Sequence, residues 1–270
     1  MKQSIVSSSL EISSVLVSII TVCRNNADRL SVTIQSLSRF YGDARYEHLV
    51  VDGGSSDHTH QVVAPFAGVA NFRFNSGLDG GIYDAMNRGV RRSSGRFLLF
   101  LNCGDCMLMA PDVLADCLDT MGDNSGADII CFAYRHVDCG GGKLVVASKA
   151  RSHRLPTSHQ GMIFLASFVR THGYNTRYKI AADYDLYLHA NLSRVRVAPT
   201  DMPLTAVEVH GVASSNPQAS YKEYWAIAFR NLCGAKRIMC LIWIASRAVF
   251  VILIKRVFPS QWVDRWRRMT

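Results

Sequence analysis

Two clusters of polar and acidic side chains follow apolar runs in this chain of 270 residues. The cluster from Asp52 to Asp57 comes directly after Val51, and the cluster from Asn102 to Asp105 comes directly after Leu101. A carboxylate at the end of a strand can accept hydrogen bonds from N–H and O–H groups of a ligand, and neighbouring glycines permit close approach. Either cluster alone is a common turn, but two at successive strand ends indicate a ligand site.

The elements that precede these clusters form a repeating pattern. Val15–Val22 is a β-branched run of strand length, and apolar residues recur at helical spacing from Ala27 to Phe40. A second apolar run, His48–Val51, then leads into the first acidic cluster. Strand, helix and strand in this order predict a βαβ unit with parallel strands, whose carboxyl ends lie at one edge of the sheet.

The alternation of strands and helices continues toward the C-terminus. We expect strands at Phe97–Leu101, near Ala127–Tyr134 and near Lys143–Ala147, and helices at about Pro111–Met121 and from about Ala182. No linker divides this region, so we expect one α/β domain at 15–215, a loose Ser-rich segment at 1–14, and a helical tail at 216–270 whose removal leaves the domain folded.

Four ordered motifs resemble those of glycosyltransferase family 2, in the branch that builds bacterial exopolysaccharide, O-antigen and colanic-acid units. The resemblance covers about residues 17–215. The motifs are Val17–Asn25, Val50–Thr59, Gly80–Gly89 and Phe100–Asp105. The resemblance implies a GT-A type fold, a Rossmann-like and mostly parallel sheet flanked by helices, and an inverting transfer of a sugar from a nucleotide-sugar donor.

The resemblance also implies a nucleotide pocket at the ends of the first two strands. Asp52 would accept from the base or ribose, and Asp57 would support its loop or simply cap the next helix. Thr21, Arg24 and Asn25 would border the same pocket. The donor base is expected to be uracil, with GDP and dTDP sugars as alternatives.

The next two motifs would hold the diphosphate. In Gly80–Gly89, the spacing places Ile82, Met86 and Val90 on one helical face, and the resemblance makes Asp84 and Arg88 donor contacts. Asn102–Asp105 replaces the family's D-x-D motif, so Asp105 would bind Mg²⁺ or Mn²⁺ while Asn102 would contribute more weakly.

The resemblance places the acceptor side of the site further along the chain. Asp183 would be the general base that removes the acceptor's hydroxyl proton, with Asp185 as the alternative, because Ala182 replaces the family's usual Glu. His159 would contact the acceptor or a phosphate. The segment from His210 to Ser214 would be a lid over the diphosphate.

The positive charge of the chain lies in its tail. Residues 221–270 hold ten Lys/Arg side chains against Glu223 and Asp264, a net charge of +8, beside the apolar stretch Ile238–Ile254. Basic charge next to apolar surface favours an anionic membrane over nucleic acid. We expect an interfacial or re-entrant helix on the cytoplasmic face of the inner membrane, peripheral or monotopic, with an ordinary packed helix as the alternative.

The acceptor is expected to be a glycan or a polyprenyl-diphosphate-linked intermediate. The eight cysteines are expected to be free structural thiols in a reducing compartment. Two other functions stay open at this point. The substitutions at Asn102 and Ala182 are compatible with a binding protein without turnover, and a nucleotidyltransferase shares the nucleotide-binding architecture.

Overall fold

The computed structural model describes residues 15–122, 126–138, 141–198, 202–208 and 216–257. Its helices are α1 (Ala27–Ser36), α2 (Thr59–Val63), α3 (Ile82–Arg92), α4 (Pro111–Gly122), α5 (Ala166–His172), α6 (Ala182–His189), α7 (Pro217–Asn231) and α8 (Gly234–Val257). Its strands are β1 (Val17–Cys23), β2 (Tyr46–Asp52), β3 (Phe72–Ser76), β4 (Phe97–Phe100), β5 (Cys106–Met107), β6 (Ile129–Cys131), β7 (Ala133–Asp138), β8 (Gly141–Val145), β9 (Met162–Leu165), β10 (Val195–Val197) and β11 (Pro203–Glu208).

The main sheet has seven strands in the order β10-β6-β9-β4-β1-β2-β3. Its pairs are parallel except those that β9 makes with β4 and β6. Every residue of β1 and β2 is buried, as expected for central strands covered on both faces by helices. The predicted mostly parallel sheet flanked by helices is confirmed.

A second sheet has four strands in the order β5-β11-β7-β8. The predicted strand near Ala127–Tyr134 is two strands, because the chain leaves the main sheet at Phe132 and enters the second sheet as β7. This break lets β11, which pairs with both β5 and β7, end next to the loop that carries Asp105.

Several predicted boundaries differ from the structure. The first helix ends at Ser36, and a 3-10 turn at Ser38–Phe40 completes the predicted stretch. On α3, Met86 and Val90 are buried, but Ile82 is 38% exposed, since it is the first residue of the helix and Tyr83 takes the buried place. The face prediction was therefore wrong for Ile82.

Helix α7 belongs to the packed body of the protein. Ile227 has no exposed surface and lies in the same apolar cluster as the central strands, and Tyr224 packs against that cluster. Helix α8 packs on α7 through Cys240 and Ile244. The core thus continues past residue 215, and we expect the removal of α7 to destabilise the domain.

Candidate active site

The predicted nucleotide side of the site consists of two loops that are hydrogen-bonded to each other. The amide oxygen of Asn25 accepts from the Ser56 N–H at 2.8 Å, and the Asn25 N–H donates to the Ser55 hydroxyl at 2.7 Å. Asn25 has a φ of 49°, a left-handed conformation that asparagine tolerates better than most residues. The β1–α1 loop and the β2–α2 loop therefore form one rigid wall.

Asp52 lies at the base of this wall. Its carboxylate is buried and accepts from the Ser55 N–H at 3.0 Å and from the Ser76 hydroxyl at 2.6 Å. Burial raises the pKa of Asp52, but these hydrogen bonds outweigh it and hold the pKa below the usual value. Asp52 is therefore ionised at neutral pH, as expected of a carboxylate that accepts hydrogen bonds from a base or ribose.

Asp57 both supports its loop and caps a helix, the two roles that the sequence left as alternatives. One carboxylate oxygen accepts from the Ala27 N–H at 3.0 Å, at the start of α1, and the other accepts from the N–H of Thr59 at the start of α2. The hydrogen bond from the Thr59 hydroxyl is the largest cause of the lowered pKa of Asp57. Asp57 thus joins two helix N-termini and keeps the loop pair in register.

Thr21 was expected to border this pocket, and the structure contradicts that expectation. Its side chain has no exposed surface, and its hydroxyl lies 3.0 Å from Nε2 of His48 on the neighbouring strand β2. Burial lowers the pKa of His48 to about 3, so the imidazole is neutral. Thr21 therefore contacts a core histidine and does not line the predicted pocket.

Arg24 is exposed at the rim of the wall, beside Asp79 and Gly53. A Cβ at Gly53 would lie 2.4 Å from the Asp79 carboxylate and 3.3 Å from the Arg24 side chain, which explains the glycine. Gly53 thus lets Arg24 and Asp79 approach one another over the loop. Arg24 stands where the predicted pocket would open.

Helix α3, which carries the predicted donor contacts and is called the donor helix below, is held at its N-terminal end by its own charged residues. Asp84 accepts from the Gly80 N–H at 3.0 Å and pairs with Arg88 at 3.0 Å, and Arg88 also donates to the Gly77 carbonyl at 3.2 Å. The helix packs closely on the sheet, since a Cβ at Gly89 would lie 2.5 Å from Ile20. The predicted donor contacts therefore order the loop that precedes α3.

Asp105 lies in a buried polar cluster between the two sheets. Its carboxylate is 4% exposed and accepts from the Gln160 amide at 2.8 Å and from the Glu208 N–H at 3.2 Å. Burial raises the pKa of Asp105 to about 7. Glu208 also pairs with Arg29, which brings a positive charge to the loop.

The residues present fit a divalent cation of the magnesium type. Asn102 Oδ1 is buried without a hydrogen-bond partner, which leaves it available as a ligand oxygen, and the Asn102 backbone N–H donates to the Asp105 carboxylate, so the two residues lie on one tight loop. Within the described part of the chain, no three His, Cys, Asp or Glu side chains group as a complete metal cage. Mg²⁺ and Mn²⁺ suit such a sparse site, because water and substrate phosphates fill the other positions.

A short relay leads from this loop to Asp183. The Asn102 amide lies 3.2 Å from His159 Nε2, and His159 Nδ1 lies 3.9 Å from Asp183 Oδ2, longer than a hydrogen bond. Burial lowers the pKa of His159 to about 4 and raises the pKa of Asp183 to about 6. A neutral imidazole therefore faces a carboxylate that is mostly ionised at pH 7.

Asp183 is better placed than Asp185 to receive a proton. The Asp183 side chain keeps 15% of its surface exposed, at the first turn of α6. Asp185 is buried and accepts from the Asn231 amide at 2.8 Å, on the side that faces α7. Of the two candidate bases, the structure therefore favours Asp183.

The chain matches a known protein family over more than half of its length. The family model described as Glycosyl transferase family 2 matches residues 18–183. The chain belongs to glycosyltransferase family 2. The match favours a glycosyltransferase over a nucleotidyltransferase, and this family 2 protein is a glycosyltransferase enzyme.

Two curated relatives are mycobacterial. An uncharacterized glycosyltransferase of Mycobacterium tuberculosis is 34% identical over 184 residues, which are 65% of this chain and 69% of that protein. A PGL/p-HBAD biosynthesis glycosyltransferase of Mycobacterium bovis is 33% identical over 174 residues, 62% of this chain and 66% of that protein. Both identities support the family assignment.

Two solved structures share the fold at low identity. TarS residues 1–349 of S. aureus, in complex with UDP, aligns with a TM-score of 0.69 at 18% identity, over 93% of this chain and 78% of that chain. Mannosyltransferase PcManGT of Pyrobaculum calidifontis, in complex with GDP-Man and Mn²⁺, aligns with a TM-score of 0.60 at 13% identity, over 94% and 78%. The GT-A fold is confirmed.

Several residues of the site were missed by sequence reasoning. Gln160 and Glu208 hold the Asp105 carboxylate, and Ser76 holds Asp52. Gln160 adjoins His159 in the chain, which was a usable signal. Ser76 and Glu208 end strands β3 and β11, and neither strand was predicted. The proposed lid at His210 to Ser214 lies outside the described residues.

A cleft of about 400 Å³ elsewhere on the surface is lined by residues such as Asp128, His172 and His189. None of the predicted site residues lines it. The seven described cysteines are free thiols, as expected, and Cys139 is outside the described residues.

Proposed function

We propose that this enzyme transfers a sugar from a nucleotide-sugar donor to a hydroxyl acceptor in one inverting displacement. The observation that carries the proposal is the placement of His159 between the Asn102–Asp105 loop and Asp183: its Nε2 lies 3.2 Å from the Asn102 amide, and its Nδ1 lies 3.9 Å from Asp183 Oδ2. This arrangement would put the donor diphosphate near Asp105 and the general base, Asp183, at the other end, with the anomeric carbon between them.

The donor would bind across the loop wall and α3. Asp52 would accept from the base or ribose, and Arg88 would compensate phosphate charge near α3. TarS was solved with UDP and PcManGT with GDP-Man and Mn²⁺, which supports a nucleotide-sugar donor; UDP sugars are the first to be tested, followed by GDP and dTDP sugars.

Asp105 and Asn102 would hold Mg²⁺ or Mn²⁺, which when bound neutralises the charge that grows on the leaving diphosphate. Asp183 would take the proton from the acceptor hydroxyl as that oxygen bonds to the anomeric carbon and the bond from that carbon to the phosphate oxygen breaks. His159, kept neutral by burial, would orient beside Asp183 without competing for the proton.

We further propose that the acceptor is a glycan or polyprenyl-diphosphate-linked intermediate at the cytoplasmic face of the inner membrane. Among the described residues, no helix has the length and apolar character to cross a membrane. Helices α7 and α8 instead carry exposed apolar side chains next to the exposed cations Lys222, Arg230 and Lys236. The apolar set is Trp225, Phe229, Ile238, Met239, Ile242 and Val249, 44–65% exposed.

This surface suits an anionic lipid bilayer. Each basic side chain near acidic lipid contributes about 1 kcal/mol, and the apolar side chains add burial, so a few contacts give firm but salt-sensitive association.

Flotation with phosphatidylglycerol vesicles measures this membrane binding. We expect Ile238→Ser with Ile242→Ser to abolish binding and Val146→Ser, an exposed apolar residue on another surface, to leave it intact. Equal binding by the wild type and both variants would remove this surface from the account.

The donor proposal is tested by ligand-observed NMR with UDP-, GDP- and dTDP-sugars, with Mn²⁺ or with chelator. We expect at least one donor to bind in a Mn²⁺-dependent manner and Asp105→Asn to weaken that binding. No binding of any donor by folded protein would contradict the proposal.

A further inference from the structure

The segment that leads into the Asp183 helix is gripped by one carboxylate from α7. Glu223 Oε1 accepts from the Lys179 N–H at 2.8 Å, and Oε2 accepts from the N–H groups of Ile180 and Ala181, both at 2.9 Å. Each of these is a charge-assisted hydrogen bond, so together they fix the backbone of this segment relative to α7.

Glu223 places a negative charge at the N-terminal end of α6. The N-cap of α6 is Ala181, whose side chain cannot accept a hydrogen bond, and Asp183 follows it by two residues. Glu223 accepts from the N–H of Ala181 itself, and a negative charge at a helix N-terminus stabilises that end of the helix.

The same segment is held from the opposite side by the donor helix. Tyr83 of α3 donates its hydroxyl to the Ile180 carbonyl at 2.7 Å. The peptide around Ile180 is thus fixed between α3, which carries the predicted donor contacts, and α7. Any shift of α7 moves the start of α6 and, with it, the Asp183 carboxylate.

We propose that Glu223 is a positioning residue of the transfer reaction, which holds Asp183 at the place where it meets the acceptor hydroxyl. This inference rests on the proposed function, since it takes Asp183 as the general base. Glu223 itself contacts backbone only and takes no part in the proton transfer.

Variants at Glu223 separate positioning from folding. Glu223→Gln keeps an oxygen for two of the three N–H groups but loses the charge, whereas Glu223→Ala loses all three bonds. A misplacement of about 1 Å can cost about 10²-fold in rate, so we expect turnover to fall about 10²-fold in Glu223→Ala and about tenfold in Glu223→Gln. Gln218→Ala, an exposed change earlier on α7, is the control.

The pH dependence gives a second signal. The ionisable groups around Asp183 include His159, Tyr83, Tyr174, Tyr224 and Glu223. Burial is the main cause of the raised pKa of Asp183, and the charge of Glu223 adds to it, so its removal in Glu223→Gln should move the acidic limb of the rate profile slightly to lower pH. A purely structural residue would leave that limb in place.

The assay measures release of nucleoside diphosphate from UDP-, GDP- and dTDP-sugars, with a bacterial polyprenyl-lipid extract as acceptor, beside donor binding by NMR and the melting temperature. We expect turnover to fall while donor affinity stays within about twofold of wild type and the fold is retained. Wild-type turnover in Glu223→Ala, an unmoved acidic limb in Glu223→Gln, or turnover that falls only as donor affinity or folded protein falls would overturn the inference. If Asp183→Asn also transfers normally, the assignment of the base itself has failed.

Discussion

Replacing Asp183 with asparagine tests the base assignment while keeping the shape of the side chain. The amide oxygen introduced by Asp183→Asn can still accept the hydrogen bond that the Tyr184 N–H gives to Asp183 Oδ1 at 2.9 Å, so the start of α6 should keep its conformation. What is lost is the ability to take a proton. General bases contribute about 10²–10⁴-fold in rate, so turnover should fall by that factor with donor affinity nearly unchanged.

The pH dependence of wild-type turnover tests the same assignment independently. Burial raises the pKa of Asp183 to about 6, and only the deprotonated form accepts the acceptor's proton. The ionised form should outnumber the protonated form about tenfold at pH 7 and be outnumbered about tenfold at pH 5. At saturating Mn²⁺, which favours the ionised form of Asp105, turnover should therefore rise with pH through about 6 and level off above it.

Asp185→Asn is the matched control, because its oxygen still accepts from Asn231 and its site is away from the relay. The assay is initial turnover at saturating donor from pH 4.5 to 8, with donor binding measured separately by NMR. Turnover of Asp183→Asn near the wild-type value, or equal losses in Asp183→Asn and Asp185→Asn, would refute the role of Asp183 as base.

Three further outcomes are expected. Asp105→Asn should reduce turnover about 10²-fold or more and remove its dependence on Mn²⁺, whereas the exposed Asp119→Asn should change neither; a Mn²⁺-dependent rate in Asp105→Asn would contradict the metal site. A chain that ends after Ser220 should lose about 2 kcal/mol or more of stability, because Ile227 is removed from the core; the loss would appear as a melting temperature roughly 5 °C lower or as insolubility. A chain that ends after Cys233 keeps Ile227 and should melt at a higher temperature than the chain that ends after Ser220. The reverse order of melting temperatures would refute the packing argument. Asp52→Asn should weaken donor binding more than turnover at saturating donor, and unchanged affinity would remove Asp52 from the donor site.

The sequence predicted the central sheet because each of its central strands contains an apolar, mostly β-branched or aromatic run. The runs that became β1, β2 and β4 are buried on both faces, and the polar clusters that follow them do meet at one edge. Strand β3 was not predicted, because it is an edge strand in which only Phe72 is buried and Arg73 and Ser76 are exposed. An edge strand need not be apolar.

The contacts that complete the site are long-range, which is why the sequence did not reveal them. Glu208 reaches Asp105 across 103 positions, and Glu223 reaches Ala181 across 42. No local period marks either glutamate. Thr21 was misplaced for a related reason: in a strand buried on both faces, the pattern does not tell which polar side chain faces the ligand edge and which faces a core histidine.

The anomeric configuration of the product tests the central claim most directly. Purified enzyme, an α-linked nucleotide sugar that binds in the NMR screen and a bacterial polyprenyl-lipid extract would be incubated with Mn²⁺, and the anomeric proton of the new glycoside measured by NMR. The single displacement with Asp183 as base predicts a β-linked product that is lost in Asp183→Asn. An α-linked product would contradict it, as would a β-linked product formed at wild-type rate by Asp183→Asn.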